Sequence, residues 1–312
     1  MTADSGLDRE RIWPDAATRE ALRRLARSPG VVAAAAVVAV IVLGALLAPW
    51  IAPQNPFDVR SLSLERAALP PCWMAGGDSA FLLGADPQGR DLLSTILYGS
   101  RISLTVGLVS LAIAVTVGGL VGLPSGYFGG KLDALLMRLV DVQLTIPPIL
   151  IAMTVDGVAR ATLPPRVRDA DALWLLAFAI GAATWPQYAR LLRSGTLREK
   201  SSDYVSAARL SGTSPVSIML RHILPNIAGP TMVMATLGFP IAVSTEATLS
   251  FLGVGMPPTT PSLGALIRMG SDYLFSGAWW IAMFPCAVLV LLALAVNVLG
   301  DELRNLLDAR EK

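Results

Sequence analysis

Residues 201–226 read SSDYVSAARLSGTSPVSIMLRHILPN, a polar segment between two long apolar runs. We call this segment the central island. Its first part carries apolar residues at helical spacing, namely Tyr204, Val205, Ala208 and Leu210. Ser202 or Asp203 stands where an N-terminal helix cap is expected. Gly212 then suits the left-handed residue that ends a helix.

A second helix is predicted to follow directly. Ser214 offers a capping hydroxyl, and Pro215 stands at the first helical position, where a proline is favoured. Pro225 is predicted to stop this helix. The island therefore predicts two short amphipathic helices joined at a glycine, a shape suited to docking.

The composition indicates an integral membrane protein. The chain has 312 residues, of which 54% are hydrophobic and 15% charged, whereas a soluble domain carries about 25% charged residues. The two cysteines, Cys72 and Cys286, lie in unlike surroundings and predict neither a disulfide framework nor a metal site. His222 is the single histidine, and we interpret it as a polar-face residue of the island. Nothing favours nucleic-acid binding.

Six apolar runs predict an all-α fold with six transmembrane helices. The first run is longer than the apolar core of a signal peptide and ends in Pro49 and Trp50, so we interpret it as a retained anchor rather than a cleaved leader. A polar segment, 1–30, precedes it; a loop, 52–100, a core, 101–300, and a tail, 301–312, follow. The predicted spans are 31–51, 102–123, 132–155, 172–188, 227–252 and 279–299.

The basic residues predict the orientation. Most of the 25 lysines and arginines fall on the side of the membrane that holds the N-terminus. The positive-inside rule therefore favours cytoplasmic termini, although Arg166 and Arg168 oppose it. With this topology, the central island is cytoplasmic.

Several kinds of catalytic and nucleotide site are missing from the sequence. There is no GxxxxGK[ST] phosphate loop, no HExxH and no GxSxG nucleophile turn. The chain is thus predicted not to bind ATP through a phosphate loop and not to be an enzyme.

Polar residues within the predicted spans suggest a path, with structural alternatives. Asp141 and Gln143 precede two prolines and can line a polar path; alternatively, Asp141 pairs with Arg138 on the adjacent turn. Glu246 lies in an apolar run that contains two prolines. It either lines a path or bonds a partner subunit, or it is a structural glutamate near the outer end of its span.

The island and four further stretches resemble the permease subunits of bacterial ABC importers. SAARLSG (206–212) and ILPN (223–226) are similar to the cytoplasmic EAA loop of that family. The other stretches are similar to its peptide/nickel type, and specifically to the C permease of that type. They are LLGADPQGRDLLSTILYGSRISLTVG (82–107), GYFGGKLDALLMRLVDVQLTIP (126–147), LSFLGVG (249–255) and GDELRNLLDAR (300–310).

The resemblance implies a type I ABC importer permease fold with a cytoplasmic coupling helix. Ser206 departs from the family pattern, in which glutamate is commonest at this position. Serine can only hydrogen-bond, which weakens the case for a charge contact but not for docking. The residues implied to dock an ATPase subunit are Tyr204, Ser206, Ala207, Ala208, Arg209, Gly212, Ile223, Leu224 and Pro225.

The resemblance also implies an assembly in the bacterial inner membrane. The expected partners are a homologous second permease subunit, two ATP-binding subunits that hold ATP and Mg, an extracytoplasmic binding protein, and the lipid bilayer. This chain is expected to hold no cofactor and no metal. Di- or oligopeptides are the first substrate expectation; nickel chelates, glutathione or another small solute are alternatives. A secondary transporter that needs no ATPase is the alternative from another class.

Overall fold

The computed structural model describes residues 28–58, 64–257, 259–260 and 262–308. Within these residues there is no strand, only one isolated bridge between Ala85 and Asp91. The predicted all-helical class is confirmed. We number the helices α1 (Pro29–Leu46), α2 (Ala48–Ile51), α3 (Leu92–Phe128), α4 (Gly130–Leu144), α5 (Pro148–Thr162), α6 (Pro165–Ala170), α7 (Ala172–Glu199), α8 (Asp203–Leu210), α9 (Pro215–Ser217), α10 (Leu224–Phe251), α11 (Leu263–Ser271) and α12 (Trp280–Asp308).

Fewer helices than predicted are long and apolar enough to cross a membrane. Among the described residues four qualify, and the bent pair of α4 and α5 raises the number to five if it forms one span. The four are Pro29–Leu46, Leu92–Phe128, Pro215–Phe251 and Trp280–Leu306. Helix α7 is not among them, and its second half carries Gln187, Arg190 and Arg193. These criteria therefore do not confirm the predicted count of six.

The predicted third span is not one continuous helix. Helices α4 and α5 meet at an angle of 89°. Pro147 caps α5 with an extended backbone (ψ 130°), and Pro148 is the first residue of that helix. Because a proline disfavours helical geometry in the residue before it, two prolines in succession break the helix. The sequence predicts that prolines kink the span 132–155, and the structure confirms this as a break between two helices.

Several segments predicted as loops are helical. Helix α3 begins at Leu92, inside the predicted 52–100 loop, and it continues through Pro124 to Phe128. The chain turns only at Gly129, whose φ of +68° is left-handed. Helix α11 occupies part of the loop predicted after the fifth span. Local turn-forming residues suggested these loops, but tertiary packing decided otherwise.

Helices α3 and α7 pack closely along a row of glycines. A Cβ at Gly118 would lie 2.6 Å from Tyr188 Cβ, and one at Gly122 would lie 2.4 Å from the Ala189 carbonyl oxygen. Gly126 continues the row against Thr196. Small residues at four-residue spacing let two helix backbones approach in this way. The sequence predicts close helix contact at Gly107, Gly118, Gly119 and Gly122. The prediction is confirmed at all of them except Gly119, where a Cβ would meet only Leu192 Cδ1 at 3.7 Å.

Candidate functional site

The central island folds as two helical segments joined at a left-handed glycine. Helix α8 ends before Gly212, whose φ is +74°. The Ser214 hydroxyl then accepts a hydrogen bond from Ser217 N, and Pro215 is the first residue of α9. These parts of the prediction are confirmed. By contrast, the Ser202 side chain makes no capping bond at the start of α8.

Pro225 does not stop the second segment. A π-helical turn, Ile218–Ile223, carries the chain from α9 straight into α10, and Pro225 lies in the first turn of α10. The second half of the island is therefore continuous with a long apolar helix.

The inner face of the island is fixed to the helix bundle. Val205, Ile218 and Ile223 are fully buried against the ends of α3 and α7. On α3, the ring of Tyr127 faces the cations of Arg209, 5.1 Å from its centroid, and Lys200, 5.9 Å away. Such cation–π contacts add to the apolar burial. The island is held as one body with the bundle.

Tyr204 links the two ends of the island. Its hydroxyl donates to Glu199 Oε2 over 2.7 Å and accepts from Asn226 Nδ2 over 3.2 Å. Asn226 also donates to the carbonyl oxygen of His222 over 2.6 Å. Partial burial raises the pKa of the Tyr204 hydroxyl, and the hydrogen bond to Glu199 acts in the same direction.

The outer face of the island exposes large apolar side chains. Leu210 is 91% exposed, although its spacing had placed it with the apolar face of α8. Val216 and Leu220 are also exposed, and they line a groove beside α3. An exposed apolar surface at one end of a protein indicates an interaction site.

The residues singled out by the resemblance divide between the two faces of the island. Ala208 and Ile223 are buried and Leu224 is half-buried, so these three help to anchor the island. Tyr204, Ser206, Ala207, Arg209, Gly212 and Pro225 are exposed. Only the second group presents its side chains where another protein can contact them.

Asp141 and Gln143 both bind helix α7. Asp141 Oδ1 accepts from Arg190 Nη2 over 2.5 Å, not from Arg138 as the adjacent-turn interpretation predicted. Gln143 Nε2 donates to the carbonyl oxygen of Ala182, also over 2.5 Å. The partners lie 49 and 39 residues away in the chain. These two bonds fix α4 just before the Pro147–Pro148 break.

Glu246 is enclosed within the described chain. Its carboxylate accepts from Ser103 Oγ over 2.7 Å and from Ser250 Oγ over 2.8 Å. The Ser103 oxygen accepts in turn from Leu263 N over 3.2 Å. Glu246 thus joins α3, α10 and the start of α11. The side chain is fully buried, so it neither reaches toward an interface nor lines an open cavity.

A partly polar cavity that sequence reasoning missed, hereafter the polar cavity, lies between α3, α5, α7, α10 and α12. Its volume is about 490 Å³. The sequence did contain a signal, because uncharged polar residues recur on one face of α10. A search that considers only ionisable groups does not detect them. The polar residues that line the cavity are Thr184, Gln187, Tyr188, Ser244, Thr245, Thr248 and Asn297.

A buried ion pair, also missed, orders the chain at the end of the bundle away from the island. Arg90 Nε donates to Asp86 Oδ2 over 2.6 Å, and both side chains are buried. Next to the pair, Asp91 caps α3 by accepting from Ser94 N over 2.7 Å. Burial raises the pKa of the Asp91 carboxyl, and the hydrogen bonds from Ser94 oppose that change. The sequence had offered this stretch only as part of the resemblance.

Two family models match the chain. Residues 114–312 match the model described as binding-protein-dependent transport system inner membrane component. Residues 17–71 match the N-terminal TM domain of oligopeptide transport permease C.

Individual relatives agree with the family models. The chain is 37% identical to a di/tripeptide transport system permease protein, DppC, of Pseudomonas aeruginosa, over 94% of this chain and 92% of that protein. It is 38% identical to the dipeptide permease DppC of Haemophilus influenzae, over 88% of both chains. Among solved structures, an inward-facing MetNI methionine ABC transporter covers 69% of this chain and 95% of its own, with a TM-score of 0.51 and 21% identity. That likeness shows a shared fold.

Proposed function

The chain belongs to the family of binding-protein-dependent inner membrane components of ABC importers, and we propose that it forms half of the membrane path through which such an importer moves di- or oligopeptides. As a member of this family it is a multi-pass inner membrane protein and a transport subunit without an ATPase site of its own. A homologous permease subunit supplies the other half of the path. Two ATPase subunits bind ATP and Mg, and an extracytoplasmic binding protein delivers the substrate.

The central island carries the proposal. A docking element must expose a surface to its partner and be rigidly joined to the part that moves. The island does both, because Leu210 and Val216 are exposed while Val205 and Ile218 are buried against the bundle. The unbroken passage into α10 gives movement of the island a direct route to the membrane helices.

In this mechanism ATP acts by changing which permease state the ATPase subunits bind more tightly, and no chemical step takes place on this chain. ATPase subunits that bind one permease state more tightly than the other shift the population toward it. We place the island and both termini on the cytoplasmic side, where the basic residues of the chain concentrate.

The substrate path follows the uncharged polar cavity in this proposal. Hydroxyl and amide groups are costly against lipid, but they suit a water-filled passage through a bundle. A lining without charge suits peptides whose side chains differ in charge, so selection falls to the binding protein. Asp141 and Gln143 act on this path by fixing α4, and Glu246 acts by holding α10 against α3. None of the three is among the residues that line this cavity.

Peptides remain the preferred cargo because the two permeases compared above are named for di- or tripeptides. Nickel chelates, glutathione and other small solutes are the alternatives within the family. Uptake of a labelled dipeptide by proteoliposomes that contain the full complex and its binding protein distinguishes these cargoes when unlabelled solutes compete.

Co-purification of the ATPase subunits tests the docking role. Leu210→Asp places a charge on the exposed face of the island and breaks no described internal contact, so we expect the ATPases to be lost and uptake to stop. Phe275→Asp is the matched control, since Phe275 is fully exposed near the other end of the bundle. Retention of the ATPases by Leu210→Asp would overturn the docking assignment. Uptake without any ATPase would favour a secondary transporter instead.

A large side chain placed in the polar cavity tests whether the substrate moves through it. Thr248 is exposed to the cavity, and Thr248→Trp is expected to stop uptake while the ATPases still co-purify. Thr116→Trp, at an exposed site on α3 that does not line this cavity, is expected to transport normally. Normal uptake by Thr248→Trp would place the path elsewhere.

A further inference from the structure

A second, apolar groove runs between α1, α3, α10 and α12. Its volume is about 800 Å³, and apart from Arg101, Thr105 and Thr236 every residue that lines it is apolar. The hydroxyl of Thr105 donates to the carbonyl oxygen of Arg101, and that of Thr236 to the carbonyl oxygen of Met232. Both hydroxyls therefore donate their hydrogen bonds within their own helices. Among the residues that line the groove, Arg101 is the one whose side chain can donate a hydrogen bond to a ligand.

Arg101 stands at one end of this groove as an exposed cation. No ion pair to its guanidinium occurs within the residues that the structure describes. Tyr98 lies one helical turn before it, and Trp50, 81% exposed, lies just beyond the end of α1 that also borders the groove. Tyrosine and tryptophan concentrate at the level of lipid headgroups. A guanidinium at that depth is stabilised by an anion and is costly without one.

The length of the groove matches one leaflet. On α3 it extends from Arg101 to Leu111, and ten residues of helix rise about 15 Å. The hydrocarbon core of a bilayer is about 30 Å thick, so this is half its depth. The floor of the groove is formed by the buried side chains of Leu104, Leu292 and Val296, which offer an acyl chain only apolar contact.

We propose that the groove is a binding site for one glycerophospholipid, with its phosphate on Arg101 and one of its two acyl chains along Leu108 and Phe239. A cation at headgroup depth above an apolar channel one leaflet long is complementary to that molecule in both charge and length. A helix of the second permease subunit is the competing occupant, and it would need its own acidic group opposite Arg101. The proposal does not depend on which solute the complex carries.

Phospholipid retained by the purified complex tests the proposal. The complex is washed in detergent, exchanged with dioleoyl-phosphatidylglycerol, and its bound lipid is counted by native mass spectrometry. In Arg101→Gln, the fraction of chains that retain one bound lipid is expected to fall about fivefold. The loss of one basic residue weakens the binding of an anionic lipid by about that factor. Arg101→Lys keeps the charge and is expected to retain the lipid.

A second variant tests the contribution of the apolar groove separately from that of the Arg101 cation. Ala235 lines the groove, so Ala235→Trp is expected to displace the lipid while Arg101 is intact. Arg166→Gln removes an exposed arginine elsewhere and is expected to change nothing. Equal lipid retention by the wild type, Arg101→Gln and Ala235→Trp would overturn the proposal. Loss of the second permease subunit from Arg101→Gln, with lipid unchanged, would assign the groove to that subunit.

Discussion

Asp133 and Arg193 form a two-bond ion pair that joins α4 to α7, with Nε to Oδ1 at 2.5 Å and Nη2 to Oδ2 at 2.6 Å. Ser125 Oγ, at the end of α3, donates to the same carboxylate over 2.5 Å. Three helices thus meet at one aspartate. Eight residues further along α4, Asp141 makes only a single bond, to Arg190. The two pairs allow a direct comparison of how geometry and exposure determine the contribution of an ion pair to the free energy of unfolding.

Removal of the Asp133 charge should destabilise the protein more than removal of the Asp141 charge. The side chains of the first pair are 18% and 32% exposed, and those of the second are 53% and 55% exposed. Asp133→Asn breaks a bidentate charge-assisted pair, which we expect to cost about 2 kcal/mol. Asp141→Asn breaks an exposed pair, which we expect to cost under about 1 kcal/mol. Thermal unfolding of the purified complex measures both, and equal shifts in Tm would contradict the ranking.

The Asp141–Arg190 pair should matter for transport rather than stability. Together with Gln143 it fixes α4 just before the 89° bend. We expect Arg190→Asp to lower uptake with little change in Tm. The exchanged pair, Asp141→Arg with Arg190→Asp, should restore uptake because it rebuilds the same contact with the charges reversed. If the exchanged pair is as inactive as the single variant, the bond is not what positions α4.

Alanine at Gly122 and at Gly119 should have opposite effects. A Cβ at Gly122 would lie 2.4 Å from the backbone oxygen of Ala189, which cannot move aside without separating α3 from α7. We expect Gly122→Ala to cost about 3 kcal/mol. A Cβ at Gly119 meets only Leu192 Cδ1 at 3.7 Å, an ordinary contact. Gly119→Ala should be neutral or stabilise by up to about 1 kcal/mol, since alanine favours helix over glycine.

Yield and Tm of the two alanine variants check this expectation. The substitution is identical and the sites lie in the same helix, so helix propensity cannot explain a difference between them. Similar Tm values would mean that α3 and α7 are not in the close contact described.

Features set by neighbouring residues could be predicted from the sequence, and features set by distant ones could not. The glycine turn at Gly212 and the start of α9 follow from short-range backbone preferences, and both are confirmed. The break before α5 was also a local signal, and the kink predicted from the prolines of this span is confirmed. The partner of Asp141 lies on another helix, so a search of adjacent turns selected Arg138 wrongly.

The polar cavity shows the same limit for the candidate site. Its polar residues come from three helices, and no single stretch holds enough of them to stand out. Glu246 did stand out because it is ionisable within an apolar run. Its burial among serines could not be foreseen, because Ser103 lies 143 residues away. Composition identifies an unusual residue, but the packing of helices decides which neighbours it has.

Gly212 provides the sharpest test of coupling through the central island. Its φ of +74° lies in the region that β-branched residues adopt only with strain, while a Cβ there would meet no atom within 4 Å. Gly212→Val therefore disturbs only the backbone, and we expect it to turn α8 relative to α9 and abolish ATP-driven uptake while membrane insertion continues. Gly212→Asn is the matched control, because asparagine tolerates left-handed geometry and should keep most of the uptake. ATP-driven uptake by Gly212→Val at the wild-type rate, with the protein present in the membrane in equal amount, would show that the angle between the two halves of the island does not couple ATP to transport.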